Sequence, residues 1–266
     1  MEPNEAKVKS LAKALSILSC FTVERPILGV TELAGQLGVS KSNIHNILST
    51  FCAMGYLRRL PDGRYTLGLK MLEYAFIINQ NLGYPKAIYD VLSEISQETG
   101  EIVYFGVPYG TKVLYLYVVH PADRMNVRPY REILGETAYF YCTGIGKAIL
   151  AAMPEEEWVE RIGDVRPKYQ PNTITDVDAI CRELRLTRER GYSIDNVERD
   201  ANIRCVGVPV LDRTGNLVAG VSVSGPLASM TDKKIFECAG ILQKAAYKMR
   251  DRIYQVSTVN PGKYIF

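Results

Sequence analysis

Imidazole and clustered thiol are what this sequence has least of. Its 266 residues include two histidines, His45 and His120, and six cysteines (Cys20, Cys52, Cys142, Cys181, Cys205, Cys238) that never form a Cys-x-x-Cys pair. Structural zinc sites and disulfide frameworks draw on grouped Cys and His, so neither is expected, and no other cofactor is indicated. The thiols lie mostly in apolar patterns and read as small core residues. Apolar runs near the ~18 residues of a membrane span are lacking too. The opening MEPNEAKVKS has no apolar signal-peptide core, so a cytoplasmic protein without a membrane partner is expected. No internal repeat or low-complexity stretch stands out.

What is present is a globular composition, 47% hydrophobic, in a chain long enough for two domains. The formal net charge is only +3, but residues 1–70 carry nine Lys/Arg against five Asp/Glu, which leaves the remainder at −1. A basic small domain ahead of a neutral large one suits nucleic-acid binding by the first segment, although an ordinary solvated surface has the same balance.

Within that first segment, VKSLAKALSILSCF (8–21) has helical apolar spacing. A short helix follows over roughly 31–37 and ends at Gly38, and Ser40 is placed to cap a third from Lys41 to about Ala53. In the third helix Ile44, Ile47, Leu48 and Phe51 make one inward stripe. Ser42, Asn46 and Ser49 fall opposite it, flanked by Asn43 and His45. These short hydrogen-bonding side chains are poor helix formers for a merely solvated face, and they suit the reading of base edges in a major groove. LRRLPDGRYTLG then predicts a basic hairpin around Pro61-Asp62-Gly63. Three helices and a hairpin make a winged helix-turn-helix, in which Lys41, Arg58, Arg59 and Arg64 would bond phosphates of double-stranded DNA.

The expected organisation is α+β: a winged helix-turn-helix over 1–68, a linker helix over 69–83, and a larger second domain over 84–266. The linker, LKMLEYAFIINQNL, has bulky residues on more than one face and is expected to connect the domains and contact another subunit. In the last domain a helix from Pro85 to Glu98 precedes a hairpin around Tyr109-Gly110, a strand near NVRPY and a Gly-rich turn opening a helix at TGIGKAILAAM. PEEEWVERIG starts a helix at its proline, and residues 163–175 are irregular. Thr175 should cap a helix ending at Gly191, strands at IRCVGVPVLD and LVAGVSVSGP should flank the turn RTGN, and Thr231 should cap a long final helix. Hairpins interleaved with helices indicate a mainly antiparallel sheet.

Taken in order, VTELAGQLGVSKSNIHNILSTFCAMGYL with its wing, TGIGKAILA, and IDNVERDANIRCVGVPVLDRTGNLVAGVSVSGP make the chain resemble the IclR family of bacterial transcriptional regulators over essentially its whole length. The resemblance implies that residues 84–266 are a GAF-like effector-binding and oligomerisation domain, that the linker helix relays the effector signal, and that the protein is an effector-controlled regulator that more often represses, a homodimer or dimer of dimers on a palindromic operator. It also implies a small-molecule pocket at Gly144, Ile145 and Gly146, completed by Asp195, Ile203, Cys205, Ser222 and Ser224, with Val127 and Tyr130 beside them. A Gly-rich helix start offers free N–H groups to an organic carboxylate. Asp195 would repel a bare carboxylate and suits a ligand hydroxyl, which favours a hydroxy, sugar or aromatic acid. The family often has Arg where this chain has Asn46, and His where it has Tyr141, so its operator and effector need not carry over.

Other readings stand beside this one. Cys205 within an apolar strand is also an ordinary core residue, and Ser222 and Ser224 also satisfy neighbouring backbone. A phosphate loop at Gly146-Lys147 would need Gly at Tyr141 and Ser or Thr at Ala148, so nucleotide hydrolysis is disfavoured. The enzyme alternative is a hydrolase with Cys205 as nucleophile and His120 as base. A sensor acting through protein partners is the third.

Overall fold

The structure, a computed structural model, describes residues 6–81, 84–121 and 135–259. The chain divides into two compact units, residues 1–81 and 82–266. No helix among the described residues is long and apolar enough to cross a membrane.

The first unit runs α1 (Lys9–Leu18), β1 (Ile27–Leu28), α2 (Val30–Leu37), α3 (Lys41–Ala53), β2 (Leu57–Arg59), β3 (Tyr65–Leu67) and α4 (Lys70–Asn81). Glu32 accepts the Gly29 amide at the start of α2, and Gly38 closes that helix at φ +63°. This left-handed residue turns the chain sharply enough for Ser40 to cap α3 only two positions on. Ile44 and Leu48 are fully buried against Ile17, Leu28, Leu33, Leu57 and Tyr65, and Ile47 and Phe51 pack at the margin. The predicted stripe therefore closes this small core. The wing forms around Gly63 at φ +86°. It gains a third strand that was not expected, since β1 pairs with β3 over only two residues, too few to show alternation. On α4, Tyr74 stacks on Tyr56 with the two hydroxyls 2.7 Å apart, which ties the helix to the turn after α3.

The second unit begins with α5 (Tyr84–Thr99) and carries one six-stranded, wholly antiparallel sheet in the order β6-β5-β4-β9-β8-β7. Its strands are β4 (Ile102–Tyr109), β5 (Lys112–Val119), β6 (Thr137–Tyr139), β7 (Ser193–Asn196), β8 (Ile203–Leu211) and β9 (Leu217–Pro226). The helices α6 (Gly144–Ala152), α7 (Trp158–Ile162) and α8 (Val177–Arg190) lie between β6 and β7, and α9 (Asp232–Val259) ends the described chain. The two-residue period of the strands divides the core in two. Val103, Phe105, Val206, Val208, Val221 and Val223 face α5 and α9, while Ile102, Tyr104 and Tyr115 face α6.

Several boundaries differ from expectation. Asp176, not Thr175, caps α8 by accepting the Ala179 amide, because its carboxylate is the acceptor three residues before that N–H. PEEEWVERIG forms a 3-10 turn and then the five-residue α7. The strands β6 and β7 were not anticipated, being three and four residues long. The strand expected near NVRPY lies outside the described residues.

Candidate functional site

In the first unit Lys41, Ser42, Asn43, His45, Asn46 and Ser49 are all exposed on α3, opposite the buried Ile44 and Leu48. The side chains of Ser42, Asn43, His45, Asn46 and Ser49 make no hydrogen bond among the described residues, so their donors and acceptors are open to a partner. Arg58 and Arg59 are exposed on β2. Arg64 differs: its guanidinium pairs with Asp62 at 2.7 Å. The Arg64 backbone N–H and then its side chain hold the Asp62 carboxyl below the usual range. Arg64 thus arrives at any phosphate already partnered.

In the second unit α6 is buried along every residue from Gly144 to Ala151, between the sheet and α8. Its first turn touches the sheet because Gly207 lies directly beneath it. A β-carbon at Gly207 would fall 2.7 Å from the Gly144 carbonyl and 2.9 Å from the Ile145 nitrogen. Ser193, opposite Gly207 in the sheet register, donates its hydroxyl to the Gly144 carbonyl. The helix start is thereby set over the middle of β7, β8 and β9.

The same antiparallel register lines up the polar groups around it. Asp195 faces Cys205, Cys205 faces Ser224, and Gly207 faces Ser222. These side chains share the α6 face, and the Ser224 hydroxyl donates to Cys205 Sγ at 2.8 Å. A narrow cleft is lined by Gly144, Ile145, Asp195, Ile203, Cys205, Ser222 and Ser224, and also by Tyr104, Tyr115, Thr143, Arg199 and Asp200. Counted with its opening to solvent the cleft spans about 420 Å³, but a water-sized body has room in only about 30 Å³ of it. That reach suits a water or two, so an organic ligand must widen the cleft.

Gly146 is not among the residues that line the cleft. Thr143, the N-cap of α6, takes the Gly146 amide on its hydroxyl at 3.1 Å, which leaves the Gly144 and Ile145 amides at the pocket edge. A β-carbon on Gly146 would sit 2.5 Å from the Phe140 carbonyl, so this glycine serves packing. Val127 and Tyr130 lie outside the described residues. Thr143 carried a legible signal, an N-capping residue directly before GIGK. Tyr104 and Tyr115 are brought edge to face, ring centres 5.8 Å apart, by a hairpin whose facing no local pattern specifies.

Electrostatically the cleft is built beside a buried charge pair in which Glu198 Oε2 has no hydrogen-bond partner. Lys147, buried in the first turn of α6, pairs with the equally buried Glu198, so the lysine of the Gly-Lys motif points to a protein carboxylate. Asp195 accepts the Glu198 amide at 2.7 Å. Burial pushes its carboxyl up to about 7, with Lys147 pulling down and Glu198 pushing further up. The loop carrying Glu198 begins at Val197, a β-branched residue at φ +58°, a conformation that costs roughly 1–3 kcal/mol and persists only where its surroundings impose it.

Cys205 is a poor nucleophile. Burial, then the neighbouring Asp195, raise its thiol well above the ordinary value, and its contact is Ser224 and not His120. All six cysteines are free.

Comparison with known proteins agrees with this arrangement. Residues 10–61 match the IclR helix-turn-helix domain, and residues 80–250 match the bacterial transcriptional regulator IclR C-terminal domain. The chain is 33% identical over 245 residues to the HTH-type transcriptional regulator KdgR of Escherichia coli K12, covering 91% of each chain. Among solved structures, the Thermotoga maritima IclR is 33% identical with a TM-score of 0.65, over 92% of this chain and 98% of that one. An IclR homolog from Microbacterium hydrocarbonoxydans, solved in complex with 4-hydroxybenzoate, shares the fold at a TM-score of 0.73 and 22% identity, over 92% and 99% of the two chains.

Proposed function

Because the chain belongs to the IclR family, and so is a DNA-binding transcriptional regulator with an effector-binding C-terminal domain and not an enzyme, we propose that it is a repressor controlled by a small hydroxy, sugar or aromatic acid. The observation that carries the effector assignment is the cleft itself, where the Gly144 and Ile145 amides meet Asp195, Ser222 and Ser224. A helix N-terminus favours a carboxylate. A carboxyl ionising near neutrality can give or take a hydrogen bond with a ligand hydroxyl.

On the DNA side, Asn43, His45, Asn46, Ser42 and Ser49 read base edges, and Lys41, Arg58, Arg59 and Arg64 hold phosphates. The operator is palindromic and bound by a dimer or a dimer of dimers. Support for that assembly is the exposed apolar surface of α4, where Leu72, Phe76 and Ile78 are each more than half exposed. Effector binding changes DNA affinity by as much as its affinity differs between the two states.

A thermal-shift screen of small organic acids, followed by DNA binding with and without the hit, tests this reading. The expected result is a stabilising acid that weakens operator binding at least about tenfold, which corresponds to about 1.4 kcal/mol of coupling. A stabilising acid that leaves DNA affinity unchanged overturns it.

A further inference from the structure

Arg199 was not among the residues expected at the pocket, yet it lines that cleft with Asp195 and Gly144. Its guanidinium carbon lies 3.8 Å from the centre of the Tyr169 ring. Stacking of this kind holds the planar group, and the guanidinium is also a side-chain hydrogen-bond partner of the Tyr169 hydroxyl. Its Nε is buried and has no hydrogen-bond partner. Arg161 and Arg204 also have such an Nε, but each pairs with a carboxylate, Glu157 and Asp232 respectively. Arg199 has no carboxylate partner among the described residues. The nearby Glu198 is already committed to Lys147.

Its charge is also felt at Cys142, just before α6. Burial pushes the Cys142 thiol up to about 12, and Arg199 is the strongest charge acting against that rise. Arg199, Gly144 and Ile145 all line the cleft, so the guanidinium and the amides of the first turn of α6 share it. A stacked cation with an unmet buried donor, opposite a positive helix end, is a receptor for a planar anion.

We propose that Arg199, braced on Tyr169, receives the carboxylate of the effector together with the α6 amides, and that this arginine makes the pocket select an acid over its neutral amide. The inference rests on the effector-pocket reading above and orients the ligand within it. The carboxylate lies toward Arg199 and the ligand hydroxyl toward Asp195, which separates the effector's charge from the buried acid.

The full-length protein is titrated calorimetrically with glycolate, gluconate and 4-hydroxybenzoate, and with the primary amide of each. Wild type is expected to bind at least one acid about tenfold or more tighter than its amide. Arg199→Gln should cut that acid's affinity about tenfold to a hundredfold and leave the amide's unchanged. Arg199→Lys, with a charge but no fork, should fall between, and it answers the same question if the glutamine variant folds poorly. A variant of wild-type melting temperature that keeps the acid preference overturns the assignment and leaves the effector reading standing. A wild-type protein that binds none of these acids at about 10 mM, with DNA binding unaffected, overturns both.

Discussion

The Lys147 ammonium lies 2.5 Å from Glu198 Oε1, with the two side chains 1% and 5% exposed. This pair fastens the first turn of α6 to the loop after β7 and so fixes both sides of the cleft. Breaking a buried pair from one side leaves an uncompensated charge, at a cost of about 3–5 kcal/mol. Lys147→Met and Glu198→Leu are each expected to lose about that much in urea unfolding. The double variant should recover most of it, since two apolar side chains can share the space. A double variant as unstable as the worse single one would contradict this account.

Asp195 sets a pH dependence whose sign can be worked out. Its carboxyl ionises near 3.8 in the unfolded chain and near 7 in the folded one. Between those values the folded state holds a proton that the unfolded state has lost, so stability from this group falls as pH rises and is lowest above about 7. Asp195→Asn removes the penalty. Its melting temperature should exceed that of wild type at pH 8, and the gap should close toward pH 4. The reverse order at pH 8 would show that the buried charge is net stabilising.

Gly207 admits α6 to the sheet. Gly207→Ala places a methyl group 2.7 Å from the Gly144 carbonyl, an overpacking expected to cost about 1–3 kcal/mol. Because the displaced atoms border the cleft, acid binding should weaken as well. Unchanged calorimetric affinity with reduced stability would mean that the first turn relaxes without disturbing the pocket.

On α3 and the wing the variants separate reading from holding. Asn46→Ala should relax preference at particular base pairs by about 1–3 kcal/mol, whereas Arg58→Ala should weaken all duplexes alike and flatten the salt slope by about one. Asp62→Asn releases Arg64 from its partner and should strengthen non-specific binding at low salt. Binding isotherms on operator variants at several salt concentrations distinguish these cases. Equal loss on every duplex for Asn46→Ala removes it from the reading set.

Much of the fold was legible because it is written in short-range chemistry. Gly38, Ser40, Gly191 and Thr231 are each recognisable from the backbone conformation or hydrogen bond that a helix end requires. Ser222 and Ser224 share a face because strands alternate, and they do so here. The two-residue β1 and the exact cap of α8 were not legible, since two residues carry no period and adjacent Thr175 and Asp176 are both good caps. Arg199, Asp200, Tyr104 and Tyr115 were missed for a different reason. They reach the cleft from separate strands and a loop, and only the register of the six-stranded sheet brings them together.

Sequence alone therefore determined the third helix with its polar face, the wing, the class of the second domain and the row of small polar residues along its strands. Each depends on residues within a few positions of one another, where helical period, strand alternation and capping act. Tertiary structure alone decided that Lys147 is spent on Glu198, that the Gly146 amide is taken by Thr143, and that Arg199 stacks on Tyr169 at the pocket wall with its Nε buried and without an acceptor. Those outcomes turn on which charges and donors are shut away from water together, and burial is a property of the packed chain.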